Sequence, residues 1–284
     1  MSTTVATASP TPPRSRPSFR PATFADVARS EWTKFRTVRA SFWCLAIGAL
    51  LGIGLGAIIS LVSANHYNTD PTIRFDWNPA DRSLGSLMLT QLAFAILGVM
   101  VVTGEYSTGM IRTSLAAVPR RSRLLSAKIL VFSIVVVIAG EIISFITFLV
   151  GQALISGKAP TATLGQPGVL RAVIGTGLYL AALALLGMAL GVLLRHAAAA
   201  IGTVVAILLV LPSIALALPT SWSEPIEKYW PTNAGFMVAR VGHGLERFVV
   251  NGHTLGPWAG FAIMLAFVAV MLAFAFVSLE RRDA

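Results

Sequence analysis

The stretch ILVFSIVVVIAGEIISFITFLVG, residues 129–151, decides what kind of protein this is. Its only charged residue is Glu141, and sixteen Leu, Ile, Val or Phe residues lie between Ile129 and Val150. Since a helix rises about 1.5 Å per residue, about 20 apolar residues cross the roughly 30 Å hydrocarbon core of a bilayer. The apolar side chains favour insertion by roughly 5 to 10 kcal/mol, against about 3 kcal/mol for one central acid. The stretch is therefore predicted to span a membrane.

Five more apolar runs of similar length follow the same rule. The chain has 284 residues, of which 55% are hydrophobic and 12% charged, about half the charged fraction of a soluble domain. The runs are continuous, whereas barrel strands alternate at period two. We therefore predict an all-α polytopic membrane protein with six spans. Their predicted bounds are 42–63, 84–103, 129–155, 170–194, 198–218 and 258–279.

The distribution of basic residues predicts the orientation. With the N-terminus inside, fifteen of the 22 Lys and Arg residues fall on the inner side, where basic residues concentrate in membrane proteins. Both termini are accordingly expected in the cytoplasm and the chain in the plasma membrane. The net charge of +10 is then a topology signal, and nucleic-acid binding is not expected.

The chain before the first span divides into two parts. Residues 1–23 are rich in Ser, Thr and Pro and predict a disordered cytoplasmic tail, leaving residues 24–284 as a single membrane domain. Residues 24–39 have one apolar arc at helical spacing and predict an amphipathic helix at the inner membrane surface, with Trp32 at the interface. Glu31 and Arg39 fall within that arc. The helix is either a basic anchor or a contact for another protein segment.

The inner loop between spans two and three, residues 104–128, is too long for a tight helical hairpin. It predicts a short cytoplasmic helix over residues 107–116 that ends before Pro119. A solvated basic loop is one interpretation. The other is a docking site, because Ile111 and Leu115 accompany the charges.

The last outer loop, residues 219–257, contains Trp222, Trp230 and the apolar stretch Ala234–Val241. It is either an ordinary interfacial loop or a pair of short helices that re-enter the outer leaflet, where protein or water would satisfy their backbone.

Within the spans, glycines at spacing four predict close helix packing. They are Gly48, Gly52 and Gly56 in the first span and Gly187 and Gly191 in the fourth. Glu141 is either a carboxyl packed against a neighbouring helix or a proton or cation site.

The motifs of several enzyme classes are missing from the sequence. It has no phosphate-binding loop of the form Gly-x-x-x-x-Gly-Lys-Ser/Thr and no His-Glu-x-x-His metal motif, and its single cysteine, Cys44, cannot form an intrachain disulfide. We expect no catalytic residue, cofactor or metal in this chain.

The order of these parts resembles the permease subunit of an ABC-type transporter of the ABC-two class, over roughly residues 24–284. The resemblance rests on the amphipathic segment, the six spans, the loop motif Gly104-Glu105-x5-Ile111-Arg112 leading to Pro119 and Lys128, and the long last outer loop. It implies a connecting helix before span one, a coupling helix after span two, and re-entrant outer helices. It also implies that Glu105, Gly109 and Arg112 contact or position a separate ATPase subunit.

The same resemblance implies an ATP-driven transporter, with export favoured and with ATP and magnesium bound by the partner ATPase. One chain would form half of the translocation pathway, so that a second permease chain, identical or related, completes it. Two other classes remain as alternatives: an ion-coupled secondary transporter and a non-transporting membrane enzyme or scaffold. A secondary transporter typically has inverted repeats and several intramembrane charges. The substrate is beyond the sequence.

Overall fold

The computed structural model describes residues 23–117, 120–215, 217–242 and 255–281. These residues form helices and connecting segments with no β-strand, and six of the helices are long and apolar enough to cross a membrane. The predicted all-α polytopic membrane fold is therefore confirmed. The six are α2 (Arg39–His66), α5 (Leu87–Ser107), α7 (Arg121–Ile155), α8 (Val169–Leu194), α9 (Ala197–Ala215) and α12 (Pro257–Arg281).

Among the described residues, six shorter helices lie outside the spans. They are α1 (Phe24–Thr37), α3 (Pro71–Phe75), α4 (Pro79–Ser83), α6 (Met110–Ala117), α10 (Thr220–Tyr229) and α11 (Pro231–Phe236). The most N-terminal part of the chain, residues 1–22, where the disordered tail was predicted, lies outside the described residues.

The alternating spans give the bundle two ends. The near end has α1 and α6, and there the Arg121 guanidinium donates to the Leu279 carbonyl at 3.1 Å. The far end has the connections after α2, α7 and α9. At that end the Asn78 side-chain amide donates to the Val241 carbonyl at 2.7 Å, and the Trp77 indole donates to the Pro160 carbonyl at 3.0 Å.

Helix α8 is the centre of the bundle. In its most apolar 18-residue window 78% of the residues are buried, against 22% in α2, 17% in α9 and 22% in α12. Glycines allow the closest approach: a Cβ at Gly187 would lie 2.0 Å from the Ala95 carbonyl oxygen, and one at Gly98 would lie 1.8 Å from that of Ala184. The backbones of α5 and α8 therefore touch, as small residues permit in membrane proteins.

The glycines of α2 allow a similarly close approach to side chains of α7. A Cβ at Gly52 would lie 2.7 Å from the Ile143 side chain, and one at Gly56 would lie 2.6 Å from that of Thr147. Around Gly52, α2 widens into a π-helix over Leu50–Leu55. There the Ser86 hydroxyl donates to the Gly52 carbonyl at 2.7 Å. The close packing predicted from the glycine spacing is thus present.

The helix predicted before the first span begins at a capping box. The Thr23 side chain accepts from the Asp26 backbone N–H, and the Asp26 carboxylate accepts from that of Thr23, so two N–H groups without helical partners are satisfied. The helix ends where Val38 adopts an extended conformation. The two charged residues of the predicted apolar arc differ in exposure. Arg39 begins α2 and is exposed, whereas Glu31 is buried.

The last far-end connection contains two short helices, α10 and α11, and α11 continues as a 3-10 turn over Met237–Ala239. This segment packs tightly on α12, since a Cβ at Gly260 would lie 2.2 Å from the Ala234 carbonyl oxygen. Arg171 at the start of α8 donates to the carbonyls of Met237, Val238 and Arg240, at 3.4, 3.0 and 2.8 Å. The apolar stretch predicted here is therefore buried against the bundle, and its backbone carbonyls find partners.

Candidate coupling site

Four charged side chains from three helices meet at the near end. Glu31 and Lys34 come from α1, Glu105 from the last turn of α5, and Lys128 from the near end of α7. Helix α7 begins at Arg121, eight residues before the predicted start of the third span, and this extension contains Lys128. We call these four residues the charge cluster.

Lys128 is the centre of the charge cluster. Its Nζ donates to Glu31 Oε2 at 2.5 Å and to Glu105 Oε1 at 2.7 Å. Lys34 Nζ lies 2.6 Å from Glu31 Oε1 and 3.3 Å from Glu105 Oε1, and it also donates to the Ser114 hydroxyl of α6 at 2.9 Å. One connected network thus joins α1, α5, α6 and α7.

Most of this network is shielded from solvent. Glu31, Glu105 and Lys128 are 4, 7 and 6% exposed, and the two acids and two bases carry no net charge together. Burial by itself lowers the pKa of Lys34, but its hydrogen bond to Glu31 and the charge of Glu105 outweigh that effect and leave the pKa above its usual value. The two carboxylates therefore hold Lys34 in its charged form.

A small apolar cluster lies beside the charges and attaches α6 to the rest of the near end. Val27 of α1, Ile111 of α6, and Leu124 and Ala127 of α7 are all buried in it. The apolar character of Ile111 is thus explained by packing within the chain, and the docking interpretation of the inner loop stays a prediction. The side chain of Leu115 lies outside the described residues.

The structure places the three predicted coupling residues in different environments. Glu105 is buried in the charge cluster, so of its two implied roles, positioning fits better than direct contact. Gly109 separates α5 from α6 with a φ of +71°, and no atom lies within 4 Å of where its Cβ would be. The side chain of Arg112 lies outside the described residues. Helix α6 begins at Met110 rather than at residue 107, because α5 continues through Ser107.

A cavity of about 250 Å³ adjoins the charge cluster. Its walls include Phe35 of α1, Met100 of α5 and Phe132 of α7, together with all four charged residues. Glu105 Oε2 is buried and has no hydrogen-bond partner among the described residues. The cavity is large enough to hold water, which such an oxygen ordinarily binds.

The sequence carries a signal for Glu31 of the charge cluster and none for its pairing with Lys128. Glu31 interrupts the apolar arc of α1, and this interruption is the sequence signal for a buried partner. Lys128 falls at the end of the predicted inner loop, and nothing in the sequence indicates its partner. Its pairing with Glu31 joins positions 97 residues apart, and no local spacing reveals such a contact.

Glu141 lies far from this site, in the middle of α7. A Cβ at Gly177 of α8 would sit 2.6 Å from its carboxyl carbon, and both carboxyl oxygens are buried with no hydrogen-bond partner among the described residues. This geometry agrees with the packed-carboxyl interpretation of Glu141. The described part of the chain also contains no group of three or more His, Cys, Asp or Glu residues suited to a metal.

Comparison with known proteins gives a family match. No curated protein matches the chain. The family model described as "ABC-2 family transporter protein" matches residues 28–214, a range that begins in α1, contains the whole charge cluster and ends in α9. This match covers about two thirds of the chain, and the chain therefore belongs to the ABC-2 family of transporter proteins, as a permease subunit.

Proposed function

We propose that this permease is driven by a separate ATPase subunit that docks at the near end, and that α6 transmits the movement of that subunit to the spans. ATP and magnesium belong to the ATPase. The observation that carries this proposal is the connection of α6, through Ser114 and Ile111, to the charge cluster and the apolar cluster beside it.

The connection supports the proposal because it makes the near end a single mechanical unit. A buried ion network with good geometry breaks at a cost of several kcal/mol. A force on α6 is therefore passed to α1, α5 and α7 together. Helix α6 also presents Met110, Thr113 and Ala116 as exposed residues, so that a partner can reach it.

A second permease chain is part of the proposal. The spans α2, α9 and α12 bury only about a fifth of their most apolar windows within one chain. We infer that two chains, identical or related, enclose the translocation path, and that rocking of the packed helices alternates access to it. Export is the favoured direction, following the sequence resemblance. Because the proposed ATPase docks at the near end, that end is cytoplasmic in this proposal, and so are both termini.

Docking is tested by site-directed crosslinking. In a Cys44→Ser background, which removes the natural cysteine, Thr113→Cys and Ala116→Cys should each crosslink to a nucleotide-binding protein that co-purifies from native membranes. Phe75→Cys, on an exposed far-end residue, is the matched control and should give no such product. Equal products from all three variants, or none from the near-end pair while ATP-driven transport continues, would contradict the proposal.

Orientation is tested with the same variants. In intact cells a membrane-impermeant maleimide should label Phe75→Cys at once, and should label Thr113→Cys and Ser30→Cys only after the membrane is opened. Labelling of Thr113→Cys in intact cells would place the near end outside and remove it from any cytoplasmic ATPase.

A further inference from the structure

A second cavity lies at the far end, well away from the charge cluster. It has a volume of about 630 Å³, within the range of small-molecule sites. Its walls come from α4, the start of α5, the far half of α9, and the α10–α11 segment, while Tyr179 of α8 contributes to its lining.

Most of the lining is apolar. The hydrophobic residues are Leu84, Leu87, Met88, Leu208, Leu209, Pro212 and Phe236. The Tyr179 hydroxyl donates to Gln91 Oε1 at 2.8 Å, and the Gln91 amide donates to the Met88 carbonyl at 3.0 Å. These polar groups of the lining are therefore paired within the chain, and this part of the cavity suits a hydrocarbon or aromatic body.

The charged groups in the lining do not balance. Asp81 and Glu227 face one base, Arg240. Asp81 accepts the Val241 backbone N–H at 3.0 Å, and its other oxygen lies 3.7 Å from the Arg240 guanidinium. Glu227 has no hydrogen bond or ion pair to the described residues. One carboxylate of the lining is therefore left without a counter-charge.

A second, independent observation points to a ligand here. Thr232 lines the cavity, is 2% exposed, and its hydroxyl oxygen has no hydrogen-bond partner among the described residues. The Arg240 Nε atom is also buried and has no hydrogen-bond partner among the described residues. Buried polar atoms are ordinarily hydrogen-bonded. An apolar cavity with an unpaired acid and an unpartnered hydroxyl suits a molecule that is apolar along its body and carries N–H donors on a cationic head.

We propose that this far-end cavity binds an amphiphile with a primary or other protonated amine, whose ammonium group pairs with Glu227 and donates to Thr232. The ligand has two sources of the same chemistry: a transported solute or a membrane lipid with an amine head group. That it is a transported solute rests on the proposed function, whereas binding itself does not.

The test uses decylammonium and, as a probe of equal chain length and opposite charge, decyl sulfate. The full chain is reconstituted without any ATPase into nanodiscs of phosphatidylglycerol, and binding is measured by equilibrium dialysis against empty nanodiscs. Glu227→Gln should weaken decylammonium binding about tenfold, as expected for loss of a charged hydrogen bond. Glu224→Gln changes a residue on the same helix but outside the cavity lining, and it should leave decylammonium binding unchanged. Partition of decylammonium into the lipid is equal for the two variants.

Charge reversal guards against a variant that merely fails to fold. Glu227→Lys should bind decyl sulfate more tightly than decylammonium, which a misfolded chain would not do. Equal effects of Glu227→Gln and Glu224→Gln, or an unchanged probe preference in Glu227→Lys, would overturn the proposal.

The lipid source is separated by adding phosphatidylethanolamine to the nanodiscs. If this lipid occupies the cavity, decylammonium binding weakens in the parent chain and not in Glu227→Gln. If decylammonium binding to the parent chain stays unchanged, phosphatidylethanolamine does not occupy the cavity, and the cavity is open to a solute. Binding as expected together with no ATP-driven transport would reject the proposed function and leave the cavity assignment standing.

Discussion

The two ends of the bundle use charge in opposite ways. At the near end two acids and two bases neutralise each other in a buried network. At the far end Asp81 lies 3.7 Å from Arg240, whereas Glu227 of the same cavity lining has no ion pair among the described residues. The paired end is built to hold helices together, whereas the unbalanced end has capacity to receive a charge from outside the chain. Under the two proposals made above, this difference would separate the transmission of force at the near end from the binding of a ligand at the far end.

Removal of the central base of the charge cluster should have the largest effect. Lys128→Met leaves Glu31 and Glu105 buried and facing each other, which we expect to cost about 3 to 5 kcal/mol of unfolding free energy. Equilibrium unfolding in mixed micelles measures this loss. Lys158→Met, on an exposed far-end lysine, should be nearly neutral, and a matching loss there would remove the contrast between the ends.

Loss of the far-end clamp should have a smaller effect. Arg171→Met removes three hydrogen bonds to carbonyls of the segment after α11. A charged hydrogen bond contributes about 1.5 to 3 kcal/mol, and relaxation of this segment should limit the total to about 2 to 3 kcal/mol. The same unfolding assay applies, with the exposed Arg29→Met as its control. A loss as large as that of Lys128→Met would show that the two ends are equally rigid.

A matched pair of glycines tests the hinge between α5 and α6. Gly109→Ala places a side chain at a φ of +71° and should cost about 1 kcal/mol. Gly104→Ala lies within α5, where its Cβ would meet nothing within 4 Å, and should stabilise the helix by up to about 1 kcal/mol. Effects of the same sign in unfolding measurements would show that Gly109 has no special backbone role.

The smallest expected effect depends on pH. Burial raises the pKa of Asp81 above its usual value despite the nearby Arg240. The folded chain therefore holds the proton more tightly than the unfolded chain, and Asp81 destabilises the fold as pH rises through the raised pKa. The stability of Asp81→Asn relative to the parent chain, measured in the same unfolding assay, should grow as pH rises above about 4.

Lys34 gives the opposite expectation at the near end. Its pKa is raised above 10.5, so its contribution is fully present below that value and is lost only as pH rises beyond it. Over the acidic range that affects Asp81, the contribution of Lys34 therefore stays unchanged.

The sequence alone determined the membrane fold, because the length and continuity of apolar runs depend only on bilayer thickness and local composition. The number of spans, a helix before the first span, and close packing at Gly52 and Gly187 followed from the same local rules. Their exact ends did not, since α7 continues past the apolar run to bring Lys128 to the near end.

Tertiary structure decided which charges meet and which remain unpaired. Glu31 could be recognised as misplaced on an apolar arc, but its partner lies 97 residues away in sequence. In the same way, Ile111 proved to be buried against α1 and α7, and Glu227 came to line a cavity beside Asp81 and Thr232. Burial and pairing depend on how distant helices pack, which the periodicity of a single segment does not contain.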